Sequence, residues 1–493
     1  MASITTTGQR LNARTLLALA PTVAKPRSSG TGAGLATGIV HIGLGAFHRA
    51  HQAVYTDDSL NRTPGPWGIC GVSLRSPDTR DALAPQDCLY TVAVRDASGD
   101  HLRVVGSITE TLVAPEDPAA VLDRLTRPTT RIVTITVTEK GYCHEPATGA
   151  LNREHPGIRH DLQNPGSPQT LVGFLVEALD RRRKAGTAPF TVLSCDNLPD
   201  NGHVTAGILR QFADLRDPAL GQWIADNVAC PSSMVDRIVP ATTDEDRETV
   251  AWALGVTDAW PVMTEPFSQW VIEDNFPTGR PAWELEGAEL VADVRPYELM
   301  KLRLLNGSHS CIAYLGYLAG HKTVSDAMAD TVFFNFVREL MDEEVTPTLD
   351  VPPGADLTHY KAALLERFAN PALKHRTWQI AMDGSQKLPQ RLLGTIRDRL
   401  AAGQPFDRLA LGVAAWMRYV GGVDEQGQPI DVRDPLADRL KTLPDAESLL
   451  GVREVFGDDL PNNPVFVAAV TEALTGLKAM GARDAIQSLT SNP

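Results

Sequence analysis

Gly38-Ile-Val-His-Ile42-Gly43-Leu-Gly45-Ala-Phe-His48-Arg-Ala-His51 is the stretch on which the fold turns. Gly38 to Ile42 is a short apolar run that reads as a strand, two glycines follow with one residue between them, and Gln52 to Leu60 has a helical pattern. Strand, glycine turn and helix open a dinucleotide-binding unit. The first glycine permits the tight turn, the second lets backbone approach a pyrophosphate, and the helix N-terminus supplies N–H groups and positive dipole. The third position of that fingerprint, ordinarily Gly or Ala, is His48 here, a bulky residue that changes how closely helix and strand can pack. The residues this reading sets against a cofactor are Ile42, Gly43, Leu44, Gly45, Ala46, Phe47 and His48.

The next apolar run, Trp67 to Leu74, comes about 25 residues after the glycines, the spacing expected of the second strand. Its end should carry the residue that reads the adenosine ribose, where an acid favours NAD and a cation tolerates the extra phosphate of NADP. Arg75 and Asp78 offer both signs, so the local sequence leaves the preference open. A third strand, Arg131 to Val137, leads into Thr138-Glu-Lys140-Gly-Tyr142, with Thr138 placed near the cofactor. A fourth, Phe190 to Ser194, leads into Cys195-Asp196-Asn197. β-Branched runs alternating with helical patterns predict an α/β fold with a parallel sheet and functional residues at the strand ends.

A second informative stretch is Lys301-Leu-Arg-Leu-Leu-Asn306-Gly-Ser-His309-Ser310. On a regular helix Lys301, His309 and Asn306 fall at roughly 0°, 80° and 140°, with Glu298 near 60°, so one face presents an amine, an amide, an imidazole and a carboxylate. Such a triple also arises by chance on exposed helices, and alone it does not distinguish a site from a solvated face.

Together these segments are specific. Gly-Ala-Phe-His-Arg-Ala-His-Gln (45–52), Thr-Glu-Lys-Gly-Tyr-Cys (138–143), Ser-Cys-Asp-Asn (194–197), Met-Val-Asp-Arg-Ile-Val-Pro (234–240) and the Lys301 segment resemble the long-chain mannitol dehydrogenase family, in family order from about residue 38 onward. Within it the chain looks most like the fructuronate reductase (D-mannonate oxidoreductase) branch, on Lys140 and the 375–391 stretch; mannitol 2-dehydrogenases tend to have glycine where Lys140 stands and arginine where Gln379 stands.

The resemblance implies a Rossmann-like domain followed by a mostly α-helical one, the active site in the cleft between them, and NAD as cofactor. It makes Lys301 the general acid/base, a role that requires its amine to titrate well below the ~10.4 of free lysine. Asn306 and Asn197 would donate hydrogen bonds to the oxygen that gains charge, His309 would orient substrate or lysine, and Glu298 would relay the proton or act only as an ion-pair partner. No metal is needed. A uronate also demands a cationic pocket. Lys140, Arg376, Lys387 and Arg391 are the candidate cations, each of which reads equally as a surface charge, and Asp236 is assigned to substrate with Lys140, Arg376 and Lys387. The expected reaction is D-fructuronate to D-mannonate; mannitol or arabinitol oxidation is the alternative, and a catalytically silent nucleotide sensor a remote one.

A chain of 493 residues is expected to form two domains, residues 1–290 and 291–493. Helices are expected at 356–368, 388–402 and 406–420. A net charge of −14 argues against nucleic acid or an anionic membrane as partner, leaving a small-molecule substrate. A monomer is compatible with the sequence, which does not give the oligomeric state. Six scattered cysteines read as reduced thiols in a cytoplasmic protein. No Asp or Glu precedes Asp57, which with Arg10 and Arg14 has a faint transit-peptide flavour, but Leu11 to Ala20 reads as a short capped helix resembling the family's N-terminal arm. The Gly- and Ser-rich 28–34 stretch reads as a linker.

Overall fold

The computed structural model describes residues 8–26, 35–96, 98–145, 149–352, 354–443 and 445–490; the expected 28–34 linker lies outside them. The chain divides into two compact units, Met1–Val294 and Arg295–Pro493. The strands are β1 Thr37–Ile42, β2 Gly68–Ser73, β3 Tyr90–Asp96, β4 Gly99–Val105, β5 Ile108–Val113, β6 Ile132–Ile135, β7 Thr191–Ser194, β8 Ser233–Asp236, β9 Val262–Thr264, β10 Gln269–Glu273 and β11 Glu289–Val291.

The first unit is built on a parallel sheet of order β5-β2-β1-β6-β7. Its strands are covered on both faces, which is why they read as continuous apolar runs and not as alternating ones. Val40, Ile42, Val72, Val133 and Ile135 face one core with the Pro118–Thr126, Leu171–Lys184 and Asn201–Arg216 helices. Ile39, Ile69, Ile132 and Leu193, one residue out of phase, face another with the Gln52–Arg62 helix, Trp270 and Trp283. All four expected strands are present, and the chain order 2-1 followed by 6-7 puts β1 in the middle, so its exit lies at the reversal of strand order where dinucleotides bind in such sheets.

Two smaller sheets were not foreseen: β4-β3-β9 and β11-β10-β8. β3 and β4 carry Arg95, Asp96, Asp100, His101 and Arg103, so their polarity conceals them. The N-terminal arm packs on the first of these sheets, burying Leu11, Leu16, Leu19 and Val23 with Val104, Val250 and Met263. The expected ten-residue helix shrinks to Ala13–Leu16; Asn12 caps it in a reciprocal box with Thr15, and Pro21 follows.

The second unit is helical. Ser308–Leu318 packs on Asp407–Val420, which packs in turn on Pro464–Met480. Trp416, Tyr314, Tyr419 and Phe456 fill the space around them, and Glu344 accepts the free N–H groups of Arg408 and Leu409 at 2.8 and 2.9 Å. The helical runs are less regular than expected. Lys301–Gly307, Leu340–Val345 and Pro389–Leu393 are π turns, the last dividing the expected 388–402 helix. No described helix is long and apolar enough to cross a membrane. All six cysteines are free thiols, and burial pushes the Cys143 thiol up to about 11 and Cys230 to about 12.

Candidate active site

β1 stops at Gly43, whose φ of +101° is a left-handed value that a side chain resists. A Cβ there would also lie 2.0 Å from the Thr136 carbonyl oxygen, so only glycine lets the turn pass this close to the end of β6. Gly45 differs. It is extended, caps the Ala46–Ala50 helix without a side-chain bond, and a Cβ on it would meet nothing nearer than the Gly43 oxygen at 3.7 Å. The space above Gly45 is open, the cradle a pyrophosphate needs against backbone N–H groups.

His41, a histidine inside an apolar strand, fixes this turn. Thr136 Oγ donates to the Gly43 carbonyl at 2.9 Å, so it accepts from His41 Nε2 at 2.9 Å, and His41 Nδ1 accepts from Thr134 Oγ at 2.8 Å. Burial holds His41 neutral, its pKa pushed down to about 3. His48 is accommodated at the third fingerprint position by lying flat on His41, centroids 3.4 Å apart and planes 12° apart. Its ring is buried beside Gln52. The side chains of His48, Ile42 and Leu44 are all buried, which leaves their backbone as the part able to face a cofactor. Helix continuity is broken once, at His51, before Gln52–Arg62 begins. Arg75 and Asp78 are both exposed just beyond β2.

The carboxyl edge of β6 and β7 carries a network that sequence reasoning missed. Thr138 has φ 64° and ψ 165°, a region otherwise reserved for glycine. The buried Asp196 carboxylate accepts the Thr138 N–H at 2.8 Å, the Val137 N–H at 3.0 Å and the Tyr142 hydroxyl at 2.8 Å, and Ser194 Oγ lies 2.6 Å from that hydroxyl. Strain of ~1–3 kcal/mol at Thr138 is outweighed by two charge-assisted N–H bonds of ~1.5–3 kcal/mol each. Burial raises the Asp196 pKa, against its three donors. Lys140 and Asn197 are exposed on the two loops so joined. Asn201 Nδ2 donates to the Asp196 and Ser233 carbonyls at 3.1 and 2.7 Å, tying β7 to β8, where Asp236 is buried at the strand's end.

In the second unit Lys301 opens a π turn and is 8% exposed. The i→i+5 ladder of such a turn brings Asn306 one turn above Lys301. A regular helix would set them roughly 140° apart, so the π turn draws the amide toward the amine on the same face. Gly307 allows the turn to lie against Pro389–Leu393, since a Cβ would sit 2.8 Å from the Arg391 oxygen. Glu298 and Asn306 are half-buried. His309 is buried, 4.4 Å from the Phe368 ring and 5.4 Å edge-on from His375. Burial, then the charges of His375, Arg367 and Arg391, drives its pKa far down, which favours the neutral ring.

The expected cations differ in their surroundings. Lys387 Nζ donates to the Met382 and Ile380 carbonyls at 2.5 and 3.4 Å, leaving one of its three hydrogens for another partner. Arg391 bonds Ser310 Oγ at 3.3 Å, and no described carboxylate pairs with it; burial lowers its pKa. Arg376 is exposed at the start of the Thr377–Ala381 helix. Among the described residues no group of three or more His, Cys, Asp or Glu side chains is arranged to hold a metal ion.

Comparison with known proteins agrees with this architecture. Residues 37–285 match the mannitol dehydrogenase Rossmann domain, and residues 293–478 the mannitol dehydrogenase C-terminal domain. The chain is 53% identical to the uncharacterized oxidoreductase YeiQ of Escherichia coli K12, over 91% of this chain and 93% of that one. It is 50% identical to the D-mannonate oxidoreductase of the same organism, over 92% and 95%. The mannitol 2-dehydrogenase of Pseudomonas fluorescens, solved as a ternary complex with NAD and D-mannitol, superposes with a TM-score of 0.87 at 44% identity, covering 98% of this chain and all of that one. With a glycine-turn parallel sheet in one unit, a buried lysine on a π turn in the other, and both domain matches in order, this chain is an oxidoreductase of the mannitol dehydrogenase family.

Proposed function

We propose that the chain is an NAD-dependent dehydrogenase interconverting a keto-sugar acid, D-fructuronate, and its hydroxy acid, D-mannonate. The observation that carries the chemistry is Lys301, a buried amine on a π turn with an amide one turn above it. When bound, the nicotinamide supplies the hydride acceptor or donor. The open backbone at Gly45, on the turn made by Gly43 and followed by Ala46 and Phe47, suits its pyrophosphate, with Thr138 near the carboxyl edge and Arg75 or Asp78 reading the ribose.

Lys301 takes the hydroxyl proton in oxidation and returns one to the ketone oxygen in reduction. Asn306 and Asn197 are each assigned as an amide donor to a developing oxyanion. Neutral His309 orients hydroxyls by hydrogen bonding, and Glu298 passes the proton onward. Asp236 and the cations Lys140, Arg376 and Lys387 are assigned to substrate.

The acid substrate is supported by the 50% identity to a D-mannonate oxidoreductase and by Arg391, a half-buried guanidinium facing no described carboxylate. A second reading, oxidation of D-mannitol, is favoured by the structural match to a mannitol 2-dehydrogenase. We place the enzyme in the cytoplasm. NADH oxidation by the purified protein with D-fructuronate and with D-fructose, repeated with NADPH, separates these readings. Preference for fructuronate supports the uronate assignment; preference for fructose replaces it with a polyol dehydrogenase.

A further inference from the structure

We propose that Asp196 is a positioning residue for this reaction: it clamps the Val137–Thr138 backbone from the neighbouring strand and so sets the β6 exit, with Thr138 and Lys140, relative to Asn197 at the β7 exit. The proposal rests on the reading of this sheet edge as the cofactor side. Thr138, a β-branched residue, is held at φ 64° and ψ 165°, a conformation that persists only when its surroundings over-determine it. The two successive N–H groups that lead into the strained residue are received one by each carboxylate oxygen of Asp196, at 3.0 Å from Val137 and 2.8 Å from Thr138. The carboxylate is oriented in turn. Tyr142 has one hydroxyl hydrogen and gives it to Asp196, so its oxygen accepts from Ser194 Oγ, which itself accepts the Asp196 N–H at 3.4 Å.

An asparagine has the same outline but one oxygen, and its NH2 would face one of the two N–H donors. The clamp is therefore specific to a carboxylate. Asp196 acts through the loops it joins, which carry Lys140 and Asn197 into solvent.

The test is a double-mutant cycle on the full chain with Asp196→Asn and Thr138→Gly, reading NADH affinity by fluorescence, KM for NADH against kcat, and urea unfolding. Asp196→Asn is expected to weaken NADH binding on the order of 5- to 150-fold, the affinity equivalent of the strain released, and to act on KM for NADH more than on kcat. In the Thr138→Gly background, where the conformation is free of strain, the same substitution should cost at least five-fold less. Equal losses in both backgrounds, or wild-type affinity in Asp196→Asn, would overturn the proposal. Should Asp196→Asn fail to fold, Thr138→Gly decides: a raised urea midpoint supports a strained, clamped Thr138, and a lowered one overturns it. A wild-type protein that binds neither NADH nor NADPH would sink the cofactor reading, and the clamp would then stand or fall on the coupling in urea.

Discussion

The two turn glycines should fail in different ways when given a methyl group. Alanine at 43 must hold φ near +101°, costing ~1–2 kcal/mol, and its Cβ would lie 2.0 Å from the Thr136 oxygen, so β6 or the turn must move. A further ~1–3 kcal/mol for that displacement brings the total to about 3 kcal/mol. At ~2.1 cal/mol/K per residue the unfolding entropy of the first unit is about 0.6 kcal/mol/K, so Gly43→Ala should lower its Tm by about 5 °C. Alanine at 45 meets no atom closer than 3.7 Å and costs at most ~1 kcal/mol as a poorer cap, under about 2 °C. Yet its methyl would occupy the cradle above the helix, and NADH affinity should fall about tenfold or more, since each ~1.4 kcal/mol is a factor of ten. Scanning calorimetry and NADH titration of both variants give the comparison. A Gly43→Ala protein melting within a degree of wild type, or a Gly45→Ala protein binding NADH normally, would refute the assignment of separate structural and ligand roles.

Three further outcomes follow from the same geometry. His48 has a folded pKa far below the ~6.5 of an unfolded histidine, so the stability it contributes is complete above about pH 6.5 and is lost as pH falls below it; His48→Phe, which keeps the stack on His41, should flatten the acid limb of urea stability by up to ~1.4 kcal/mol per pH unit, and superimposable profiles would count against a neutral buried ring. Neutralising Lys140 (Lys140→Met) or Arg376 (Arg376→Gln) should raise KM for fructuronate about tenfold or more while leaving fructose less affected, and no selective change in either variant would dismiss both as carboxylate partners. Burial raises the Glu344 carboxyl to about 7, above its unfolded value, so wild-type stability should decline as pH rises from about 4.5 to 7 by up to ~1.4 kcal/mol per pH unit; Glu344→Gln, which does not titrate, should lack that decline, its loss relative to wild type being larger at pH 5 than at pH 8, and a pH-independent difference would contradict that.

The sheet was legible because its signals are local. Gly43 and Gly45 after Ile-Val-His-Ile, and β-branched runs at the right spacing, follow from turn geometry and from burial on both faces. The hairpin β3-β4 was hidden because Arg95 pairs with Asp100 across it at 2.8 and 2.9 Å and with Asp246 at 3.0 Å, while Arg103 pairs with Asp57 and Asp58, an arrangement that looks like a loop in one dimension. The site was half legible. Lys301, Asn306 and His309 stood out as chemical types on one face, but a π turn leaves no mark in hydrophobic periodicity, so the stacking of Asn306 over Lys301 was not foreseen. His41 and Asp196 were in plain view as polar residues inside or just beyond apolar strands. Their meaning depends on Thr134, Thr136 and Tyr142, which the fold brings together across strands and the sequence does not.

The most direct test of the account is Lys301→Ala, followed by NADH titration and by turnover across pH. The variant should bind NADH as the wild type does and lose ~10²–10⁴-fold in kcat, and the basic group governing kcat in the wild type, titrating well below ~10.4, should vanish from its pH profile. Turnover unchanged by the substitution, or an unaltered profile, would remove Lys301 from the reaction and with it the proposed mechanism.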